Sequence, residues 1–459
     1  MKIKEWEYFI GIFFIAILNG INQANNNFKY FVFFQMILVL CLSLKNIKKS
    51  FLLHIIFMLI SNNFILTLDS VPIVNYSKLK VIGNLSYSYF ILLFFFFIAL
   101  CTGKNNRIKN LKNKELKHFY FLINFFCLYP LIFSFLGFTF NEYYNMSRFI
   151  ICFIYVINLL IYFFIIISLY SKEDYKLLYN ILLILIFVSC IYPFTLKTLN
   201  EQGSYGGIKI WLYLDIVLFA NILFFIKGFF SKFFLLIYIF SFKFIASGRN
   251  ILFLIITFYK VLIKPFKKNN LYIIYILLLL TFFIFFINKE KVLLFIAKDK
   301  NSLFYYKIRQ IFSLLEFWNL EKMPNSPKIR VIEAINIILT YLKKPWYLIF
   351  GFGFGGYYQD FSNLFQEVSL KNGAFSDEII KSGFFPNAHI QLLNIFLFNG
   401  LLGLIIIGKY CIFFWKNIER YPLALVSFFW FFYMFYFNQH IMIFCLLATY
   451  LFFIKYTEE

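Results

Sequence analysis

The chain has 459 residues, of which 62% are hydrophobic and 24% aromatic, and its formal net charge is +23. With a mean hydropathy of +0.78, it holds more apolar surface than a water-soluble core of this length can bury, and many runs are long enough to cross about 30 Å of hydrocarbon. These values exclude an ordinary soluble domain and predict an all-α polytopic membrane protein with about 12–14 transmembrane helices.

In chain order, the N-terminal stretch Met1 to Gln23 mimics a signal peptide, with Lys2 and Lys4 ahead of the apolar run Phe9 to Leu18. Because many further spans follow, it reads as an uncleaved first helix. Spans are predicted near 7–21, 28–44, 51–67, 84–102, 119–140, 148–170, 176–195, 207–226, 230–246, 250–264, 271–288, 389–408, 422–438 and 440–455. Three regions result: an N-terminal helix bundle over 1–288, a long loop over 289–388, and C-terminal helices over 389–459. The abundance of Phe and Tyr, with Ile, Lys and Asn, matches an AT-rich genome and needs no functional reading.

The loops alternate in basic charge. Lys45–Lys49, Lys104–Lys117, Lys172/Lys176, Lys227/Lys232, Lys260–Lys268 and Lys409–Arg420 are basic, and the loops between them carry few positive charges. By the positive-inside rule both termini are cytoplasmic and the 289–388 loop is external. Most of the positive charge then faces anionic headgroups, which removes the case for a nucleic-acid partner. The seven cysteines are scattered in or beside apolar runs without a Cys-x-x-Cys pair, which argues against disulfides and structural zinc.

Within the long loop, Leu303 to Leu320 mixes apolar and basic residues. The stretch Lys328 to Leu342 places Ile332, Ala334, Ile335, Ile338 and Leu342 at helical spacing, predicting an amphipathic helix ended by Pro345-Trp346. Gly351, Gly353, Gly355 and Gly356 follow, a backbone free to adopt positive φ and to present N–H groups to oxygen ligands, or simply a flexible turn. No Lys-Ser/Thr follows, so this is not a nucleotide-binding fingerprint. Asp215 lies inside a span without an identified partner, and Asp360, Glu367, Asp377 and Glu378 lack metal-ligand spacing. His54, His118 and His440 stand outside any motif and read as structural. No cofactor and no metal are expected.

Three features, in order, carry a resemblance. The first is the turn Ser247-Gly248-Arg249 at the outer end of a span. The second is Arg330 on the loop helix, leading to Lys344-Pro345-Trp346 and Gly351-Phe352-Gly353. The third is Pro386-Asn387-Ala388-His389 at the start of an apolar run, with Gly400 and Gly403 beyond it. In this the chain, over roughly 240–410, resembles the bacterial O-antigen polymerase and O-antigen ligase superfamily, membrane glycosyltransferases that use undecaprenyl-diphosphate-linked sugars. Family members carry a polar residue after the histidine where this chain has Ile390; Asn387 or Gln391 is the candidate substitute.

The resemblance implies attack by a sugar hydroxyl on the anomeric carbon of a lipid-diphosphate-linked glycan, with inversion. His389 is then the general base or a diphosphate ligand, because histidine titrates near neutrality. Arg249 and Arg330 would bind the diphosphate, with Arg309 a weaker third, because guanidinium presents planar, permanent donors to phosphate. It further implies an O-antigen or capsular repeat-unit polymerase in the bacterial inner membrane, active on the periplasmic face, with lipid-linked oligosaccharide as donor and acceptor. A flippase and a chain-length regulator are the candidate protein partners. The alternatives are an O-antigen ligase transferring to lipid A core, a protein O-oligosaccharyltransferase, and, from a different class, a lipid-linked oligosaccharide flippase. Against the flippase, no internal repeat and few midplane charges are visible.

Overall fold

Asn46 turns the chain between the first two helices, α1 (Lys29–Lys45) and α2 (Ile47–Asn63). Its amide continues α1 by donating to the Leu42 carbonyl, and its side-chain oxygen caps α2 by accepting from the Lys49 N–H at 3.0 Å. The computed structural model describes residues 29–66, 80–82, 85–103, 114–140, 144–174, 177, 210–212, 320, 323–365, 375, 377–416 and 439–456.

The described chain is mostly helical. After α2 come α3 (Tyr87–Thr102), α4 (Lys114–Phe140), α5 (Met146–Leu169), α6 (Asn325–Lys343), the short α7 (Trp346–Phe350), α8 (Asp377–Ser382), α9 (Gln391–Lys416) and α10 (Gln439–Tyr456). Among the described residues three stretches, Leu116–Thr139, Met146–Leu169 and Gln391–Tyr410, are long and apolar enough to cross a membrane. Large apolar side chains point outward along them, among them Phe121, Ile132, Phe135 and Leu136 on α4 and Ile150, Ile151 and Ile154 on α5. A contiguous apolar exterior is unfavourable in water and is what a lipid-facing surface carries.

Two compact units divide the chain. The first comprises Met1–Phe225, Thr340–Tyr358 and Pro386–Glu459; the second comprises Ile226–Leu339 and Gln359–Phe385. In the first, α1 packs on α2, α3 on α5, α10 on α2, α4 and α5, and α9 on α4 and α7. One end of this bundle is tied by polar groups. Lys48 pairs with Asp174 at 2.6 Å, the Tyr170 hydroxyl donates to the Lys48 carbonyl, and the Tyr450 hydroxyl donates to the Tyr170 carbonyl. Deeper in, His54 shares a 2.9 Å hydrogen bond with the Tyr162 hydroxyl, surrounded by Phe51 and Phe95, so this buried histidine is held structurally.

In the second unit, the described part of α6 buries Ile329, Ile332 and Ile337 but also Glu333 and Asn336. Asn336 is held there by Asp360, whose carboxylate accepts from the Asn336 side-chain amide at 2.8 Å, the Ser362 hydroxyl and the Phe365 amide. The helix predicted over 328–342 is present, yet its apolar spacing does not mark its buried face. Ile338 is 46% exposed and Leu342, in its last turn, 64%. Polar side chains that find partners can be buried, and spacing alone does not anticipate them.

Helices match the predicted spans near 28–44, 84–102, 119–140, 148–170, 389–408 and 440–455. The span predicted over 51–67 is shifted: α2 stops at Asn63, where Ser61-Asn62-Asn63 ends the apolar run, and β1 (Phe64–Leu66) follows. The start of the span predicted over 207–226 is also different. After the short antiparallel pair β2 (Lys80–Ile82) and β3 (Leu85–Ser86), residues Ile210–Leu212 form β4, antiparallel to β1 with Ile65 opposite Trp211. Bulky Ile and Trp next to Gly206-Gly207 suit an extended backbone. The spans predicted near 7–21, 176–195, 230–246, 250–264, 271–288 and 422–438 lie outside the described residues.

Candidate functional site

Pro130 interrupts α4 from within. Proline lacks an N–H, so no helical bond runs from position 130 to the carbonyl of Phe126 and the local ladder is weakened. The carbonyl of Pro130 accepts from the Ser134 hydroxyl and from the backbone amide of Phe354 at 3.3 Å. Gly353 lies against the same turn with φ +71°, and a β-carbon there would stand 2.5 Å from the Ser134 nitrogen. Beside it, the Phe350 ring stacks on Phe133 at 5.2 Å, and the Tyr129 hydroxyl donates to the Phe350 carbonyl at 3.0 Å. The glycine-rich stretch is thus packed into the side of a long apolar helix.

Helix α9 is broken at Gly400, where φ is 61° and ψ −159°. A continuous helix would satisfy the carbonyls of 396–398 with the amides of 400–402. Here they take donors from the glycine-rich stretch and from the end of α6. Phe352 donates to Leu397 at 2.9 Å and Gly353 to Phe398 at 3.1 Å. The buried Tyr341 hydroxyl donates to Phe396 at 2.6 Å and Leu397 at 3.0 Å. Gly351 and Gly400 cross backbone to backbone, and a β-carbon on Gly400 would meet the Ile349 carbonyl and the Gly351 nitrogen. Both have positive φ, which an L side chain rarely adopts. Gly403, one turn on, leaves room for the Asn399 side chain.

From Gly353 the chain runs to the α4–α5 turn. Asn145 donates its amide to the Gly355 carbonyl at 2.8 Å, and Tyr144 forms a bridge with Gly356. Asn145 also caps α5 by accepting from the Arg148 N–H. At the same end, the Tyr358 hydroxyl reaches the Asn387 carbonyl at 3.4 Å. Two residues beyond, His389 is exposed at the entrance to α9. Asn394 fixes this entrance with a reciprocal pair, accepting from the Ala388 amide at 2.7 Å and donating to its carbonyl at 2.9 Å. His389 thus sits on a pinned, solvent-exposed turn.

The structure therefore brings together Gly351, Gly353 and Gly400 and sets His389 at the end of the same assembly. Arg330 is half-exposed on α6 in the other unit. Arg249, Arg309, Ser247 and Gly248 lie outside the described residues.

Two further residues stand at the starts of α5 and α9. Arg148 occupies the first turn of α5, where the helix dipole disfavours a cation and which holds no acidic residue. Among the described residues its buried Nε finds no hydrogen-bond partner. Gln391, the candidate substitute for the missing polar neighbour of His389, is 3% exposed, and neither side-chain amide atom has a hydrogen-bond partner among the described residues. The signal for Arg148 was an arginine just inside a helix start; only its neighbours give that position meaning. Burial pushes the Tyr144 phenol up to about 12, with Cys152 contributing. Among the described residues, no group of three or more His, Cys, Asp or Glu is arranged to hold a metal ion.

No protein-family model, curated protein or solved structure matches the chain.

Proposed function

We propose that this chain is a polysaccharide polymerase of the inner membrane, joining lipid-diphosphate-linked oligosaccharide units on the periplasmic face. The observation that carries the reading is the crossing of Gly351 over Gly400. Two glycine motifs, far apart in sequence and separately quoted for the resemblance, form one interlocked element with His389 at its end. In the proposed step the acceptor hydroxyl gives its proton to His389 as its oxygen attacks the anomeric carbon. The bond from that carbon to the diphosphate oxygen breaks, and the lipid diphosphate departs with the electron pair. Arginines offset the charge on the leaving group. By the resemblance Arg249 and Arg330 take that role, with Arg309 a weaker third, and Arg148 at the start of α5 is a further candidate. Catalysis of this kind requires no cofactor, because the diphosphate is already a good leaving group once its charge is neutralised.

The deciding experiment supplies purified full-length protein in lipid nanodiscs with a synthetic lipid-diphosphate repeat unit, without nucleotide or added metal. A ladder of longer glycans is the expected result. Product formed only when lipid A core is added would instead identify a ligase. Intact substrate with both acceptors would overturn the glycosyltransferase reading.

A further inference from the structure

The stretch from Leu342 to Gly353 falls within the 289–388 loop of the sequence, and its contacts with two apolar helices give its position along them. Gly351 touches α9 at Gly400, midway along the span Gln391–Tyr410 and about 14 Å from Gln391 at 1.5 Å per residue. Gly353 touches α4 at Pro130 and Ser134, about 8–14 Å in from Thr139 by the same rise. Two different helices thus place the stretch about 8–14 Å in from a span end, within one leaflet of a hydrocarbon core about 30 Å thick.

The composition of the stretch fits that depth. Trp346 is 58% exposed, Ile349 51% and Phe350 39%, following Leu342 at the end of α6. Phe350 stacks on Phe133, and the adjacent α4 residues Ile132, Phe135 and Leu136 are themselves exposed, so one apolar surface runs from α4 onto α7. Lys343, exposed, and Lys344 precede Trp346, the order in which headgroup-level and interfacial residues occur at a membrane boundary. The backbone is also compatible with a site away from water. The amides of Gly351, Phe352, Gly353 and Phe354 all donate to carbonyls, those of Tyr347, Leu397, Phe398 and Pro130 respectively.

We propose that Leu342 to Gly353 is a re-entrant membrane segment. Leu342, Trp346, Ile349 and Phe350 sit among the phospholipid acyl chains of the leaflet at the Gln391 end of α9, and Lys343 lies at the level of that leaflet's phosphates. The occupant of this face is bulk phospholipid, and the inference does not depend on the proposed activity.

Trp346 reports on it directly. Full-length protein and Trp346→Phe are placed in nanodiscs of phosphatidylcholine, with or without bromine on the acyl chains, and the difference in tryptophan emission isolates Trp346 from the other five tryptophans. Acyl-chain bromination should quench the Trp346 contribution at least about twofold, while aqueous iodide leaves it unchanged. Quenching by iodide with none by brominated lipid would place the segment in water and overturn the proposal. A Trp346 signal shielded from both quenchers would mean that protein covers this face, and would overturn it equally. Because Trp346→Phe retains an aromatic ring at an exposed position, a second pair, Ile349→Trp in wild type and in Trp346→Phe, repeats the reading at the deeper site.

Discussion

The backbone nitrogen of Gly351 lies 2.5 Å from where a β-carbon on Gly400 would stand. No side chain separates the two segments, so the carbonyls of the broken helix reach the amides of the glycine-rich stretch directly. Gly400→Ala should therefore destabilise strongly: about 1–3 kcal/mol for a side chain held in an unfavourable backbone region, plus overlap with Ile349 and Gly351. Gly383→Ala offers the contrast, since φ is +68° but nothing stands within 4 Å; it should cost about 1–2 kcal/mol from conformation alone. Gly408→Ala, in helix with open space, should be neutral or stabilising by up to about 1 kcal/mol. Thermal unfolding in detergent gives the order, and equal losses at Gly400 and Gly408 would contradict the backbone crossing.

His389→Ala should abolish glycan elongation in the reconstituted assay while the protein, whose His389 side chain is exposed, still folds and inserts. Normal product length in this variant would remove His389 from the chemistry.

Arg148→Ala and Arg148→Lys separate charge from geometry. If Arg148 meets a diphosphate, both variants should raise the KM for the lipid-linked donor, with alanine the more severe. Asn145→Ala tests the adjacent cap by itself and should cost about 1 kcal/mol of stability. An unchanged KM in both Arg148 variants would leave the residue with a structural role only.

Gln391→Leu replaces a buried amide that has no hydrogen-bond partner among the described residues with a side chain of similar size. Relief of that desolvation should leave stability unchanged or raise it by about 1–3 kcal/mol. A clear fall in melting temperature would show that the amide is satisfied in the folded protein.

Alkaline titration should be sensitive to Tyr144, whose phenol is raised from its ordinary value of 10.0 to about 12 by burial, with Cys152 adding to the shift. Between these values the unfolded chain has lost the proton and the folded chain still holds it. Stability is thus unaffected below pH 10 and falls as pH rises from 10 towards 12. Tyr144→Phe should flatten that part of the profile; an unchanged slope would assign the loss to other groups.

By itself, the sequence determined that the chain is helical and apolar, and it located most of the described helices, because an apolar run of sufficient length leaves the backbone little choice once water is excluded. It also marked Gly351, Gly353, Gly400 and His389 by spacing. Only the tertiary structure decided which backbones touch. The Gly351–Gly400 crossing joins segments distant in the chain, and periodicity carries no information about it. The same holds for the face of α6, where Glu333 and Asn336 are buried while Ile338 is exposed, for the β1–β4 pairing, and for Arg148, which acquires a context only from Gly355 and Asn145. Apolar pattern fixes that a segment leaves water; which segment it meets is set by shape and by the hydrogen bonds a broken helix leaves to be filled.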